Sequence, residues 1–286
     1  MKKPLPLFFC IILLMPVLIS SVGLADQYKF QAVDCIVRVD TGTVNWTTGT
    51  ITAIGRALPI DQSRAAKESV YASARSDAIR NILNTLKMIK INNESSVNDY
   101  ASASAVILAG LEKTAREAIV VKQVYSSALD VEITIEASMF GGFLQLVLPE
   151  EIRQIPKINP EINSKMIPVI EKSLYSGLII DARGLGIEPV LDPVIVSEQG
   201  HQVYSSVFIS REFAVQGGVC KYVCNLDQAL RDKRIGDNPL VLKGLRKEGS
   251  KNATLVISMS DYLTLEKTTE RHTFLNECRV IIVKDQ

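Results

Sequence analysis

The chain has 286 residues, and its 32 lysines and arginines against 31 aspartates and glutamates give a formal net charge of +1 at pH 7. Without a basic surplus, the release of counterions that drives nucleic-acid binding has no source, so nucleic acid is excluded as an expected partner. Apart from one apolar run near the amino terminus, no stretch approaches the length that a membrane span needs.

The first 25 residues have the layout of a secretory signal peptide. Two lysines give a positive start, an apolar run extends over residues 5–19, and small residues occupy the −3 and −1 positions of a cut before Asp26. Cys10 lies inside the apolar run, where a lipid-attachment cysteine is not expected. The sequence therefore predicts cleavage after Ala25 and a periplasmic protein that is not lipidated and has no membrane span after cleavage. An uncleaved anchor is the alternative.

Two hairpins are predicted in the amino-terminal half. The first has extended stretches over residues 32–39 and 44–56, separated by a Thr-Gly turn. The second has strands over residues 119–125 and 131–137, and in its second strand apolar residues alternate with polar ones. That alternation indicates one buried and one exposed face.

A long amphipathic helix is predicted between the hairpins. Apolar residues recur every four positions from Ala66 to Leu86, and Asp61 is a candidate N-cap. Because the apolar face begins with alanines, its first half can approach a sheet closely, while the later isoleucines and leucines fill volume. A second helix is predicted over residues 98–113. Residues 26–148 are therefore expected to form a domain in which an αβ layer of hairpins packs against the long helix.

Four prolines after residue 148 predict a linker over residues 149–173, followed by a second domain over residues 174–286. In this domain the segment Glu198 to Gly200 indicates a hairpin turn, which favours mostly antiparallel pairing. The chain is thus expected to be α+β with two domains, the second a mixed and mostly antiparallel α+β unit. Strands are predicted over residues 177–181, 190–197, 201–208, 240–245, 254–259 and 279–284, with helical patches at 226–231 and 261–270.

The order of elements over residues 44–141, together with the segment Asp77 to Leu83 (DAIRNIL), resembles the amino-terminal domain of flagellar assembly protein T and the related Lpp-type small envelope lipoproteins. The remainder looks like the carboxy-terminal part of uncharacterised bacterial periplasmic proteins. The resemblance implies an exported bacterial protein that serves envelope or flagellar assembly by contact, and it carries over no catalytic residue. Two features depart from it: the lipid-attachment cysteine is absent, and the segment Lys87 to Lys90 replaces a glycine expected after the long helix.

One short segment carries two closely spaced glycines, which raises the question of a nucleotide site. A dinucleotide-binding fingerprint needs a third glycine three residues after the second, and Pro189 stands there. Asp181, Arg183, Gly184 and Gly186 are therefore predicted to form a structural turn that ends a buried strand, with the glycines permitting positive φ. The alternative to a structural salt bridge is that Asp181 and Arg183 form a charged pair with a functional role. No cofactor is predicted.

The four cysteines that remain after cleavage allow three disulfide connectivities in an oxidising compartment. On local spacing Cys220 and Cys224 form the candidate disulfide, and burial as small apolar side chains is the alternative. A zinc site that adds His201 and His272 is not favoured, because the histidines lack paired spacing. No metal ligand, catalytic residue or cofactor-binding residue is assigned. The four cysteines are Cys35, Cys220, Cys224 and Cys278.

The leading hypothesis is an exported, non-enzymatic envelope protein that acts as an assembly, scaffolding or interaction module, with other envelope proteins as partners. An association with the flagellum follows only from the resemblance. A periplasmic hydrolase or small-ligand-binding protein is the alternative, and it requires a concave site with converging polar groups. The sequence does not indicate the oligomeric state.

Overall fold

The structure, a computed structural model, describes residues 33–59, 64–126, 130–150, 152, 175–249, 254–268 and 271–286. The predicted signal peptide, most of the predicted linker and the candidate N-cap Asp61 lie outside the described residues. Two β-sheets with accompanying helices carry the fold, and both belong to one unit that spans residues 32–286. The α+β class predicted from the sequence is confirmed.

Within the described residues, the first sheet consists of five strands: β1 (Ile36–Val39), β2 (Gly42–Asn45), β3 (Thr50–Ala57), β4 (Ile119–Tyr125) and β5 (Val131–Ser138). All pairings in it are antiparallel, in the order β1-β2-β3-β5-β4. The predicted hairpin of β4 and β5 is confirmed. The single strand predicted over residues 44–56 is wrong, because a turn between Asn45 and Thr50 divides it into β2 and β3. Gly49 has a φ of +70° in that turn.

The long helix α1 (Arg64–Met88) packs against the inner face of this sheet. Ala74 and Ala78 are fully buried, and they meet β3 at Gly55. A Cβ added to Gly55 would lie 2.1 Å from the carbonyl oxygen of Ala74 and 2.2 Å from the backbone nitrogen of Ala78. The close approach predicted from the alanines is therefore confirmed, and Leu86 is buried farther along the same face.

Two polar side chains of α1 bond to the backbone of β3. Strand β2 pairs with β3 only as far as Thr52. Farther along β3, the Asp77 carboxylate accepts a hydrogen bond from the Arg56 backbone N–H at 3.0 Å, and the Asn81 amide donates to the Ile54 carbonyl at 2.7 Å. The helix thus satisfies backbone groups of β3 that β2 does not reach.

Two shorter helices follow α1, namely α2 (Val97–Ala103) and α3 (Ala105–Arg116). The single helix predicted over residues 98–113 is wrong because Ser104 is extended, with φ −140° and ψ 114°, and its side chain caps α3 by accepting from the Ile107 N–H. Helix α4 (Gly142–Val147), which the sequence did not predict, follows β5.

Across the described parts of the chain, the second sheet has seven strands in the order β8-β7-β11-β10-β6-β12-β9. The interior strands β6 and β12 are buried at every residue, as expected for strands covered on both faces. The strands are β6 (Gly177–Asp181), β7 (Val194–Ser197), β8 (Gln202–Tyr204), β9 (Lys221–Val223), β10 (Pro239–Glu248), β11 (Thr254–Ile257) and β12 (Val280–Val283).

The mostly antiparallel pairing expected in this half is corrected by the strand registers. Four of the six pairings described for this sheet are parallel, and only β7–β8 and β10–β11 are antiparallel. The β7–β8 pair is the hairpin predicted around Gly200. Parallel neighbours need crossover connections, and helices lie in these connections: α5 (Arg211–Gly217), α6 (Leu226–Leu230), α7 (Met259–Glu266) and α8 (Arg271–Asn276).

The two sheets share a core. One cluster of buried apolar side chains contains Ile51 of the first sheet and Leu178 of the second, and the Leu191 N–H donates to the Lys90 carbonyl at 3.1 Å. The predicted division into two domains joined over residues 149–173 stays a prediction, since that segment lies almost entirely outside the described residues. Separating the halves there would expose apolar surface that they bury together.

Candidate functional site

The segment predicted as a structural turn follows the central strand β6. Gly184 and Gly186 have φ values of +83° and +59°, a region that glycine enters without the steric cost of a side chain. The Gly184 N–H donates to both carboxylate oxygens of Asp285, at 3.0 and 2.9 Å, and the Gly186 carbonyl accepts from Lys247 Nζ at 3.1 Å. The backbone donor of Gly184 that a bound phosphate would use is thus already paired with a carboxylate.

Asp181 and Arg183 form a bidentate ion pair at the start of this turn. Arg183 Nε and Nη2 donate to the two carboxylate oxygens at 2.8 and 2.9 Å, and Lys243 Nζ lies 3.4 Å from Oδ2. The hydrogen bond from the Arg183 side chain lowers the pKa of Asp181 from 3.8 to about 2, against the opposing effect of burial. A carboxylate held ionised in this way is a poor proton donor or acceptor near neutral pH. The geometry therefore favours a structural salt bridge over a charged pair with a functional role.

The cysteines pair differently from the candidate chosen on local spacing. Cys35 is bonded to Cys224, with Cα atoms 5.4 Å apart and a sequence separation of 189, and Cys220 is a free thiol. The Cys220–Cys224 candidate is wrong because the residues between them form β9 and not a helix. An extended chain rises about 3.3 Å per residue, which places residues four apart at about 13 Å, well beyond bridging range.

Among the described residues, two cysteines, Cys220 and Cys278, remain as thiols. Burial raises the pKa of Cys220 to about 12 and that of Cys278 to about 11, which leaves very little thiolate at neutral pH. Because the thiolate is the reactive form, neither side chain is activated as a nucleophile.

In the part of the chain that the structure describes, the His201 side chain is not a partner of the Asp181 ion pair. His201 follows the β7–β8 turn and stacks its ring on Tyr262, with ring centroids 5.2 Å apart. The side chain of His272 lies outside the described residues. Within the described ranges, no group of three or more histidine, cysteine, aspartate or glutamate side chains is placed to hold a metal ion.

A cleft of about 600 Å³ lies where the two halves of the chain meet. Trp46 and Phe140 of the first half face Lys221 and Asp232 of the second, and the last two form an ion pair with 2.5 Å between Nζ and Oδ2. Apolar side chains form much of the remaining wall. The volume and this lining are typical of small-molecule sites. The Asp181 ion pair does not line the cleft.

Covalent and polar contacts fix one rim of the cleft. The Thr47 hydroxyl accepts from the Cys35 N–H at 2.8 Å and donates to the Tyr222 carbonyl at 3.0 Å. Next to it, the rings of Trp46 and Tyr222 meet edge to face with centroids 5.5 Å apart. Together with the disulfide between Cys35 and Cys224, these contacts hold the turn after β2 against β9 at one side of the cleft.

The end strand β4 presents a second surface. All seven of its residues are exposed, including Ile119 at 62% and Tyr125 at 59%. It pairs with β5 on one side, and in the part of the chain that the structure describes no strand pairs with its other edge. The pairing register shifts between Val120 and Lys122, which marks a β-bulge. An unpaired strand edge presents N–H and C=O groups to which another strand can bond.

These features define a two-sheet α+β protein with a junction cleft and an exposed apolar edge strand. Residues 177–286 match the family model described as Treponema pallidum Tp0624, second domain, and this stretch runs from the first residue of β6 through the whole second sheet. The comparison with curated proteins finds no match. The resemblance to flagellar assembly protein T concerns residues 44–141, outside the matched stretch, and stays an expectation. Among the described residues, no helix has both the length and the apolar character to cross a membrane.

The sequence predicts β4 as a strand, but neither its exposure nor its place at the end of the sheet was predicted. One signal was available: β5 alternates buried and partly exposed residues, whereas the sequence of β4 (IVVKQVY) has no such alternation. The cleft had no comparable signal, because its lining residues come from segments far apart in the chain.

Proposed function

We propose that this chain is an exported, non-enzymatic protein of the bacterial cell envelope that acts as an assembly or interaction module by binding other envelope proteins. The observation that carries the proposal is the apolar edge strand β4, whose seven residues are all exposed. Contiguous exposed apolar surface marks interaction sites on soluble proteins, and an open strand edge adds backbone groups that a partner can bond.

The disulfide supports the exported location. A structural disulfide such as Cys35–Cys224 persists in an oxidising compartment and is rare in the cytosol, which agrees with the signal-peptide layout of the first 25 residues. We propose that the protein is periplasmic and carries no lipid anchor. The finer proposal, an association with the flagellum, rests on the amino-terminal resemblance alone.

Cell fractionation combined with photo-crosslinking in intact cells tests this proposal. A photoreactive amino acid is introduced singly at exposed positions on different elements, such as Gln123 on β4, Val106 on α3 and Phe213 on α5. We expect a periplasmic chain that begins at Asp26 by mass, with adducts to envelope proteins from at least one position. A chain that stays in the cytoplasm, or adducts from none of the positions, would contradict the proposal.

The junction cleft favours a second candidate function, the binding of a small molecule. Its volume and its charged residues Asp34, Lys221 and Asp232 fit such a role. A thermal-shift screen of small metabolites against the purified chain tests it, with Asp34→Asn as the cleft variant. Asp40→Asn makes the same change on the exposed β1–β2 turn and is the matched control. A stabilising compound whose effect Asp34→Asn reduces and Asp40→Asn leaves unchanged would support this function, and a screen without stabilising compounds would oppose it.

A further inference from the structure

We infer that β4 binds an extended segment of another polypeptide as an added strand, and that this segment carries an acidic residue opposite Lys122. The inference rests on the proposed function and adds to it the mode of binding and the chemistry of the partner. It follows from the side-chain register of β4 and from the position of its charge.

Strand β4 offers apolar side chains on both faces of the sheet. Val120 and Tyr125 lie opposite buried residues of β5 on the inner face, and Ile119 and Val124 lie opposite the two glutamates of β5 on the outer face. An added strand would contact these side chains above and below the sheet while it bonds to the backbone edge of β4 that faces away from β5. Main-chain bonds supply affinity in this mode of recognition, and alternate side chains supply specificity.

The charge of β4 selects against a second copy of the chain. Lys122 is the middle residue of the seven and the strand's one charged residue. If two copies paired antiparallel over the full strand, each Lys122 would lie opposite the other, and like charges directly opposite each other are destabilising. The bulge at Val121 bends the edge and further limits indiscriminate pairing. A different polypeptide with an aspartate or glutamate at the facing position gains an attractive pair where a second copy meets repulsion.

Two seven-residue peptides of alternating valine and threonine test the charge preference. They differ only at the central position, which is glutamate in one and lysine in the other, and their binding to the purified chain is measured by fluorescence anisotropy. We expect the glutamate peptide to bind about threefold to tenfold more tightly. Lys122→Glu should invert this preference and Lys122→Gln should remove it. Circular dichroism checks that both variants are folded, as expected for an exposed position.

A third peptide separates strand addition from simple charge attraction. It is the glutamate peptide with alternate backbone amides methylated, which removes the donors that a ladder needs, and we expect it not to bind. Equal binding of the methylated peptide, a preference unchanged by Lys122→Glu, or no binding of any peptide at millimolar concentration would overturn the inference. The chain could instead sediment as a dimer whose stability changes in the Lys122→Glu variant. That result would overturn the inference and would indicate that β4 pairs with a second copy of the chain.

The crosslinking in cells distinguishes failure of this inference from failure of the proposed function. Adducts from Gln123 that become weaker in the Lys122→Glu variant support both the proposed function and the inference about β4. Adducts only from positions such as Val106 or Phe213 leave the interaction function standing and reject β4 as its surface. Adducts from no position reject the proposed function itself, whatever the peptides do.

Discussion

Replacing Gly55 by alanine tests whether the contact between α1 and the first sheet depends on a missing side chain. The added Cβ would lie 2.1 Å from the Ala74 carbonyl oxygen, 2.2 Å from the Ala78 nitrogen and 2.8 Å from the Ala78 Cα. These are backbone atoms of a 25-residue helix, so no side chain can rotate to make room. The helix has to move away from β3 by about 1 Å to restore ordinary contact distances.

That displacement sets the expected loss of stability. A gap of about 1 Å forfeits roughly a quarter to a half of the dispersion attraction between the surfaces that separate, and overpacking by one methyl group costs about 1 to 3 kcal/mol in a well-packed core. Because backbone atoms cause this clash, we expect a loss near the upper end, about 3 kcal/mol. It should lower the midpoint of thermal unfolding by about 6 to 12 °C in a chain of this size.

Gly142→Ala is the matched control for this measurement. Gly142 is the first residue of α4, and no heavy atom would lie within 4 Å of an added Cβ. Alanine favours a helix over glycine by up to about 1 kcal/mol, so the control should be neutral or slightly stabilising. Both variants are compared by urea unfolding and calorimetry at the same pH. A Gly55→Ala protein as stable as the Gly142→Ala protein would refute the account of close packing.

Two further predictions concern the disulfide and the ion pair. Non-reducing peptide mapping should recover Cys35 linked to Cys224, and a map with any other pair would contradict the structure. The double variant Cys35→Ser, Cys224→Ser should lose about 2 to 5 kcal/mol of unfolding free energy in urea, because the bond closes a long loop. Because the pKa of Asp181 falls from 3.8 to about 2 on folding, its ion pair should contribute at most about 2 kcal/mol above pH 4, and this contribution should be lost as the pH falls towards 2. Asp181→Asn should therefore be less stable than the wild type at pH 7 and should approach it at pH 2, and a difference that does not vary with pH would count against the ion pair.

The amino-terminal half was largely predictable because its signals are local. The four-residue period of α1 and the alternation in β5 each arise within a single element, and the alanines at 74 and 78 face the sheet as the period requires. Asp77 and Asn81 also lie within the segment that carries the family resemblance, and both bond to the backbone of β3. Their role was not predictable, since it depends on where β2 stops.

The second sheet was harder to predict because its partners are distant in sequence. Strand β6 bonds to β10 and β12, from which long stretches of chain separate it, and a turn signal reports only on neighbours such as β7 and β8. The disulfide was not predicted for the same reason, because its two cysteines are far apart in sequence. Spacing suggested Cys220 and Cys224, but β9 extends the chain between them, and the fold brings Cys35 to Cys224 instead.

The two ends of the first sheet have different surroundings, and this difference connects the fold to the proposed interaction. At the β1 end the sheet is fastened to the second half, because Cys35 precedes β1 and bonds to Cys224, and Thr47 after β2 bonds to the Tyr222 carbonyl. At the other end β4 is exposed at every residue. An exposed apolar edge strand promotes aggregation unless charges or bulges disfavour pairing or another element covers it. In β4, Lys122 and the bulge disfavour such pairing only in part. Within the described ranges no strand pairs with the outer edge of β4. A sheet fixed at its opposite end then gives a partner strand a rigid template to which to add, and we therefore expect recognition at β4 to be sensitive to one charge.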